Sequence, residues 1–222
     1  FNPDYFHPKI HSKRISPRYT FLSVFDWIER KAPDVLIRAY MRAFKPDDDV
    51  LLLLKVSNHD PFFSVERQLQ ELVGSEATAP IALLLNKKIA DTQMGSIYRS
   101  ADCFVLPTRG EGWGMPTLEA MACGLPVIST DWGAQTAFLN ETTGFPLRIR
   151  GLVPPQARSP YYGGLRWADP DEEHLIELMR YVYQNRELAQ TRAMQAATLV
   201  HERWTWARAT DVIMERLHNI QS

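Results

Sequence analysis

Residues 103–130, CFVLPTRGEGWGMPTLEAMACGLPVIST, decide the fold. The stretch opens on an apolar run, Asp102 to Leu106, read as a strand with both faces covered. A turn carrying Gly110, Gly112 and Gly114 follows. Pro116 suits a first helical turn, and Gly124 stops the helix after Cys123. Val127 to Thr130 is the next strand. In open α/β sheets, ligands bind beyond the carboxyl ends of the strands, which is where this turn lies. Glycines let a backbone approach its ligand closely. Free amides expected near Met115, Thr117 and Leu118, together with the helix dipole, favour an anion such as phosphate. Two acids frame the turn, Glu111 in the loop and Glu119, read in the first helical turn. Carboxylates beside an anion site fit a ligand that carries hydroxyls as well as phosphates. Glu119 is placed to accept from a ribose and Glu111 from a sugar hydroxyl.

Outward from this stretch, short apolar runs alternate with helical spacing. Strands are expected at Tyr19–Phe25, Val50–Val56, Ile81–Leu85 and Gly144–Ile149. Helices are expected at Pro33–Phe44, from Asp60-Pro61 to Gly74, and from Asp91 to about Ser100. The repeated strand–helix unit predicts a Rossmann-like, doubly wound parallel α/β sheet. Past Gly151, LVPPQARSPYYGGLRWADP reads as a loop, and helices follow near 171–184, 186–201 and 205–219. The opening FNPDYFHPKIHSKRISPRY has three prolines and reads as a linker, residues 1–18 of a piece cut from a longer protein. Residues 19–200 form the sheet domain, and 201–222 a closing helix.

The segment EGWGMPTLE, continuing as EAMACGLPVIST, resembles the E-x7-E signature of family 4 (group 1) retaining glycosyltransferases of the GT-B fold. The likeness extends to FLSVFDWIERKAPDVLIRAYMRAF, ADPDEEHLIELMRYVYQN and ERWTWARATDVI. It implies the carboxyl-terminal, donor-binding half of such an enzyme, with the amino-terminal acceptor half absent. By resemblance, Glu119 binds the donor ribose and Glu111 lies against the transferred sugar. The turn Gly112, Trp113, Gly114, Met115, Thr117 and Leu118 then cradles sugar and diphosphate, and Ile89 borders the base. Lys31 matches the family's diphosphate-binding lysine. The usual arginine position holds Asp26, and Arg30 substitutes from beside Lys31. The resemblance implies a nucleoside diphosphate-sugar substrate, no metal and no other cofactor. It also implies a glycan, lipid-linked or protein acceptor. The last helix, with Trp204, Trp206, Val212 and Ile213, is expected to pack on the missing domain, and the isolated piece to transfer no sugar efficiently.

The 222 residues carry 25 Lys+Arg against 26 Asp+Glu, a net charge of -1 that offers no global field for nucleic acid. The longest aliphatic run, Val50 to Leu54, falls far short of the roughly 20 residues a membrane helix needs. Cys103 and Cys123 form neither a CxxC site nor a disulfide framework, which points to a reducing, cytoplasmic setting; contact with the inner membrane face would run through the missing domain. Asp47-Asp48-Asp49 is reminiscent of a metal-binding DxD, but it precedes a strand, on the edge away from the ligand, and reads as a solvated turn. Trp113 is more often a packing residue than a sugar platform. Arg30 and Lys31 alone would be a solvated pair, and Glu119 alone a helix-start acid. A dinucleotide oxidoreductase needs GxGxxG after the first strand, and residues 23–34 contain no glycine. A nucleotide-binding module without catalysis remains the alternative.

Overall fold

The computed structural model describes residues 1–75, 77–156 and 162–221. Six strands form one parallel sheet: β1 Tyr19–Asp26, β2 Val50–Ser57, β3 Ile81–Leu85, β4 Cys103–Leu106, β5 Val127–Thr130 and β6 Phe145–Leu147. Their order is β3-β2-β1-β4-β5-β6. It arises because the chain builds outward from β1 in one direction, then returns to β1's other edge. The reversal therefore falls between β1 and β4, where Phe21 pairs with Cys103. β1 and β2 pair along their whole length, from Tyr19↔Val50 to Asp26↔Ser57.

Helices cover both faces. α1 (Pro33–Ala43) packs with α2 (Val65–Val73) and α5 (Glu172–Gln184), and α4 (Met115–Ala122) with α3 (Asp91–Arg99) and α6 (Arg186–Arg203). A closing helix, α7 (Trp206–Gln221), lies outside this core. β2 reads VLLLLKVS, and its first five residues are buried, as a central parallel strand between two helical layers requires. The α/β fold class thus follows from the pattern of the sequence.

Two readings of the outline are corrected. α2 starts at Val65, not at Asp60-Pro61: the Asp60 carboxylate accepts the Phe62 amide in a local turn at 2.9 Å, and Ser64 caps the helix by accepting the Arg67 amide at 3.1 Å. The segment read as a loop after Gly151 contains an antiparallel pair, β7 (Ile149–Val153) with β8 (Trp167–Pro170). Part of the connection, 157–161, lies outside the described residues.

Residues 1–18 carry no strand or helix, yet they are not free of the domain. Phe1 and Phe6 are buried, Ser12 Oγ donates to the Ser96 carbonyl at 2.8 Å, and Arg14 forms a two-bond pair with Asp102. Gly95 on α3 is where this segment crosses, because a Cβ there would overlap the Tyr5 carbonyl. Among the described residues no helix is long and apolar enough to cross a membrane. Both cysteines are free and buried.

Candidate functional site

Two loops emerge at the carboxyl ends of β1 and β4, and the reversal of strand order brings them side by side. After β1 the chain turns through Trp27 and a short helical turn, Glu29–Lys31, to Ala32. Ala32 is fully buried at φ 53, a left-handed conformation that L-residues avoid, and it aims Pro33 into the first turn of α1. After β4 the chain runs from Pro107 through the glycine turn to Gly114, the residue before α4.

Backbone bonds lock the loops together. The Arg109 amide donates to the Arg30 carbonyl at 2.7 Å, and Thr108 Oγ1 sits 3.1 Å from the carbonyls of both Arg30 and Gly110. Arg109 also clasps Asp34 with two bonds of 3.0 Å and reaches the Glu29 carbonyl at 2.6 Å. Burial works to raise the Asp34 carboxyl, but the Arg109 bonds and charge outweigh it and hold the group below its ordinary value. Sequence reasoning missed Arg109, since nothing in its spacing points to Asp34.

The clasp sets Lys31 against Glu111. Lys31 Nζ donates to Glu111 Oε1 at 2.5 Å, with side chains only 9% and 6% exposed. Arg30 lies 3.8 Å from Glu111 Oε2 and donates to the Gly110 carbonyl. Asp26, at the end of β1, accepts from the Ser57 hydroxyl. An ammonium has three donors, so Lys31 can hold Glu111 and still offer protons to a ligand.

Gly114 takes φ 82, and a Cβ there would lie 3.2 Å from Gln135. The buried Gln135 fixes this helix start: its Oε1 accepts from Ser129 Oγ at 3.0 Å and lies 3.3 Å from Thr117 Oγ1. Gln135 was also missed. With glycine at the cap position, no side chain closes the start of α4. Among the described residues, no acceptor is bonded to the amides of Gly112, Trp113, Gly114, Met115 or Thr117. Leu118 is a correction: its amide donates to the Gly114 carbonyl at 3.0 Å and its side chain is in the core, so it offers nothing to a ligand. Thr117 contributes its amide only. Gly112 has no positive φ and nothing within 4 Å of a would-be Cβ, so its backbone is bare to the outside without the fold requiring glycine there.

Glu119 sits in the second turn of α4, not the first. Its Oε2 accepts from the Tyr98 hydroxyl at 2.9 Å. Burial pushes its carboxyl up to about 7, against the opposing Tyr98 bond. Glu119 and Met115 line a cavity of about 390 Å³ with Tyr5, Asp91 and Trp206, while Arg30 lines another of about 480 Å³ with Trp27, Asp34 and Arg109. Glu111 lines neither cavity; it is placed by its pairs with Lys31 and Arg30. Trp113 is 37% exposed and packs edge-on against Phe138 and Trp204 at 5.7 and 5.2 Å. Ile89 precedes α3 and packs partly buried against the core. The Asp47–Asp49 run lies in the turn before β2, where Asp48 accepts the Lys45 amide at 2.7 Å.

A family model described as "Glycosyl transferases group 1" matches residues 16–159. The lipopolysaccharide core biosynthesis mannosyltransferase LpsB of Rhizobium meliloti is 30% identical over 136 residues, covering 59% of this chain and 37% of that protein. The chain spans well under half the length of the curated relatives it matches. Among solved structures, the C-terminal domain of the group 1 glycosyl transferase LpcC from Francisella tularensis superposes with a TM-score of 0.69 at 17% identity, covering 93% of this chain and 99% of that one. Anabaena HepE, solved with UDP and glucose, superposes with a TM-score of 0.70 at 16% identity, covering 99% of this chain and 55% of that one.

Proposed function

The chain belongs to the group 1 glycosyl transferases, and from that premise we propose that it is the donor-binding half of a retaining enzyme that moves a hexose from a nucleoside diphosphate-sugar to an acceptor. The observation that carries this reading is the Lys31–Glu111 pair at 2.5 Å, set where the strand order reverses and beside unpartnered amides at the start of α4. The UDP and glucose bound to HepE support a donor of this class.

The donor diphosphate lies over the bare turn Gly112–Gly114 and takes hydrogen bonds from the amides of Met115 and Thr117. Glu119 accepts from a ribose hydroxyl in the cavity it lines, with the base running toward Ile89. Glu111 is held by Lys31 and faces the transferred sugar. When the C1–O bond breaks, negative charge grows on the departing diphosphate. Lys31, Arg30 and the helix-start amides meet that charge, with no metal assigned to the task; each preorganised donor of this sort is commonly worth roughly 2.7–4 kcal/mol. The acceptor oxygen bonds C1 on the face the diphosphate leaves, and its proton passes to the leaving phosphate oxygen. The anomeric configuration is thereby retained.

The acceptor, whether glycan, lipid-linked or protein, is assigned to an amino-terminal domain beyond this chain. α7 supports this, since Trp206, Ile213, Leu217 and Ile220 are all more than half exposed on a helix outside the core. The chain alone is therefore expected to bind nucleotide and to transfer no sugar efficiently. The setting assigned to the whole enzyme is cytoplasmic, with any contact to the inner membrane face made through that other domain. Calorimetric titration with UDP and GDP, wild type against Glu119→Ala, tests the binding site. Equal affinities would remove Glu119 from it, and rapid transfer by the chain alone would refute the need for a second domain.

A further inference from the structure

We propose that Tyr98 is a positioning residue of the donor site, its hydroxyl holding one carboxylate oxygen of Glu119 so that the other is presented to the cavity. This rests on the reading of Glu119 as the acceptor of donor hydroxyl groups.

Tyr98 lies in the last turn of α3 and is fully buried, with the rings of Phe6 and Phe104 at 6.1 and 5.9 Å. A phenol in such a place must find an acceptor within the protein. It finds Glu119 Oε2 at 2.9 Å. Among the described residues no donor bonds the other oxygen, Oε1, while Glu119 lines the 390 Å³ cavity. A glutamate on a helix flank has several rotamers, and a free one loses entropy when a ligand fixes it. The Tyr98 bond fixes it beforehand. Burial, then the neighbouring Glu119, push the phenol well above its ordinary value, so Tyr98 stays a donor across the accessible pH range.

The bond also bears on charge. Burial and Asp91 favour the protonated acid at Glu119, while the Tyr98 bond favours the carboxylate; Cys123, just past the end of α4, stays a neutral thiol. Only the carboxylate is a full acceptor for a ribose hydroxyl. Losing the Tyr98 bond therefore raises the pH below which binding fails.

The test is titration of the chain with UDP and GDP between pH 5.5 and 8.5, in a range chosen to bracket neutrality. Tyr98→Phe keeps both ring contacts and removes only the donor. It is expected to weaken binding roughly three- to thirtyfold at neutral pH and to move the acid limb of the pH profile upward. In a Glu119→Ala background the same substitution should change nothing further. Tyr98→Met, which also lacks a donor, serves as the second variant if the first does not fold. Wild-type affinity and an unshifted profile in the Tyr98 variants, with Glu119→Ala weakened, overturn this inference alone. Weakening of equal size in both backgrounds, again with no shift, marks a purely structural role and also overturns it. Wild-type affinity in Glu119→Ala overturns the ribose reading, and this inference with it.

Discussion

Removing the Lys31 ammonium should destabilise the fold by about 3 kcal/mol, and removing Glu111 with it should restore most of that loss. The reasoning starts from burial: the two side chains are 9% and 6% exposed, so neither charge can turn to water when its partner goes. At an effective dielectric near 20, unit charges attract by about 6–7 kcal/mol gross at the Lys31–Glu111 separation and by about 4 kcal/mol at the Arg30–Glu111 separation. Arg30 therefore keeps part of the compensation after Lys31→Met. Breaking a buried pair from one side typically costs about 3–5 kcal/mol, and Arg30 places this case at the low end. For a chain of this size, that is a fall in Tm of about 6–12 °C. In Lys31→Met/Glu111→Gln no fully buried charge is stranded, since Arg30 is 29% exposed and keeps its bond to the Gly110 carbonyl, and the loss should be about 1 kcal/mol. Urea unfolding at neutral pH, fitted with a common slope, measures all three variants. A Lys31→Met variant within 0.5 kcal/mol of wild type would refute the reasoning, as would losses that simply add.

Glu119 gives a stability that depends on pH. Its folded value of about 7 lies above the ordinary 4.5, so the folded state binds the extra proton. That contribution is fully present below the ordinary value and is lost as pH rises through about 7, to the extent of roughly 3 kcal/mol. Glu119→Gln should match wild type near pH 4.5 and exceed it by up to that amount at pH 8; unfolding curves showing a constant offset would contradict this. Gly112→Ala should leave the melting temperature within a degree or two, because nothing lies within 4 Å of its added methyl, yet weaken UDP or GDP binding in calorimetry. Gly114→Ala should cost about 2 kcal/mol, since its φ of 82 is strained for alanine and the methyl meets Gln135 at 3.2 Å; a melt unchanged from wild type would count against the assigned helix start. Ile213→Asp, on an exposed helix face, should change the chain's own stability by less than about 0.5 kcal/mol in urea unfolding.

The strands were legible because their patterns are local. Val50–Leu54 and Cys103–Leu106 are unbroken apolar runs, and such runs have little choice but the middle of a covered sheet. The start of α2 was misplaced for a local reason too: Asp60-Pro61 looks like a cap and first turn, but Asp60 closes only a local turn on the Phe62 amide, and the cap is Ser64. The β7–β8 pair escaped notice because Pro and Gly dominate its connection. Its anchor is also tertiary, with the Ala168 amide donating to the Arg109 carbonyl at 2.9 Å. At the site, Glu111, Glu119 and the glycines stood out by spacing. Arg109 and Gln135 did not, since a clasp on Asp34 or a prop under Thr117 exists only once distant segments have met. Glu119's second-turn place followed from the helix beginning at Met115 instead of Pro116.

Lys31 and Glu111 stand 80 residues apart in the chain and meet only when β1 lies beside β4. No half-folded intermediate that lacks this seam can own the pair. A molecule that grips both loops therefore stitches together the earliest and the middle parts of the polypeptide, and its free energy of binding is spread over the whole cooperative unit. Saturating nucleotide should slow cleavage by a protease at exposed places far from the pocket as much as at the loops themselves, wherever cleavage has to wait for global opening.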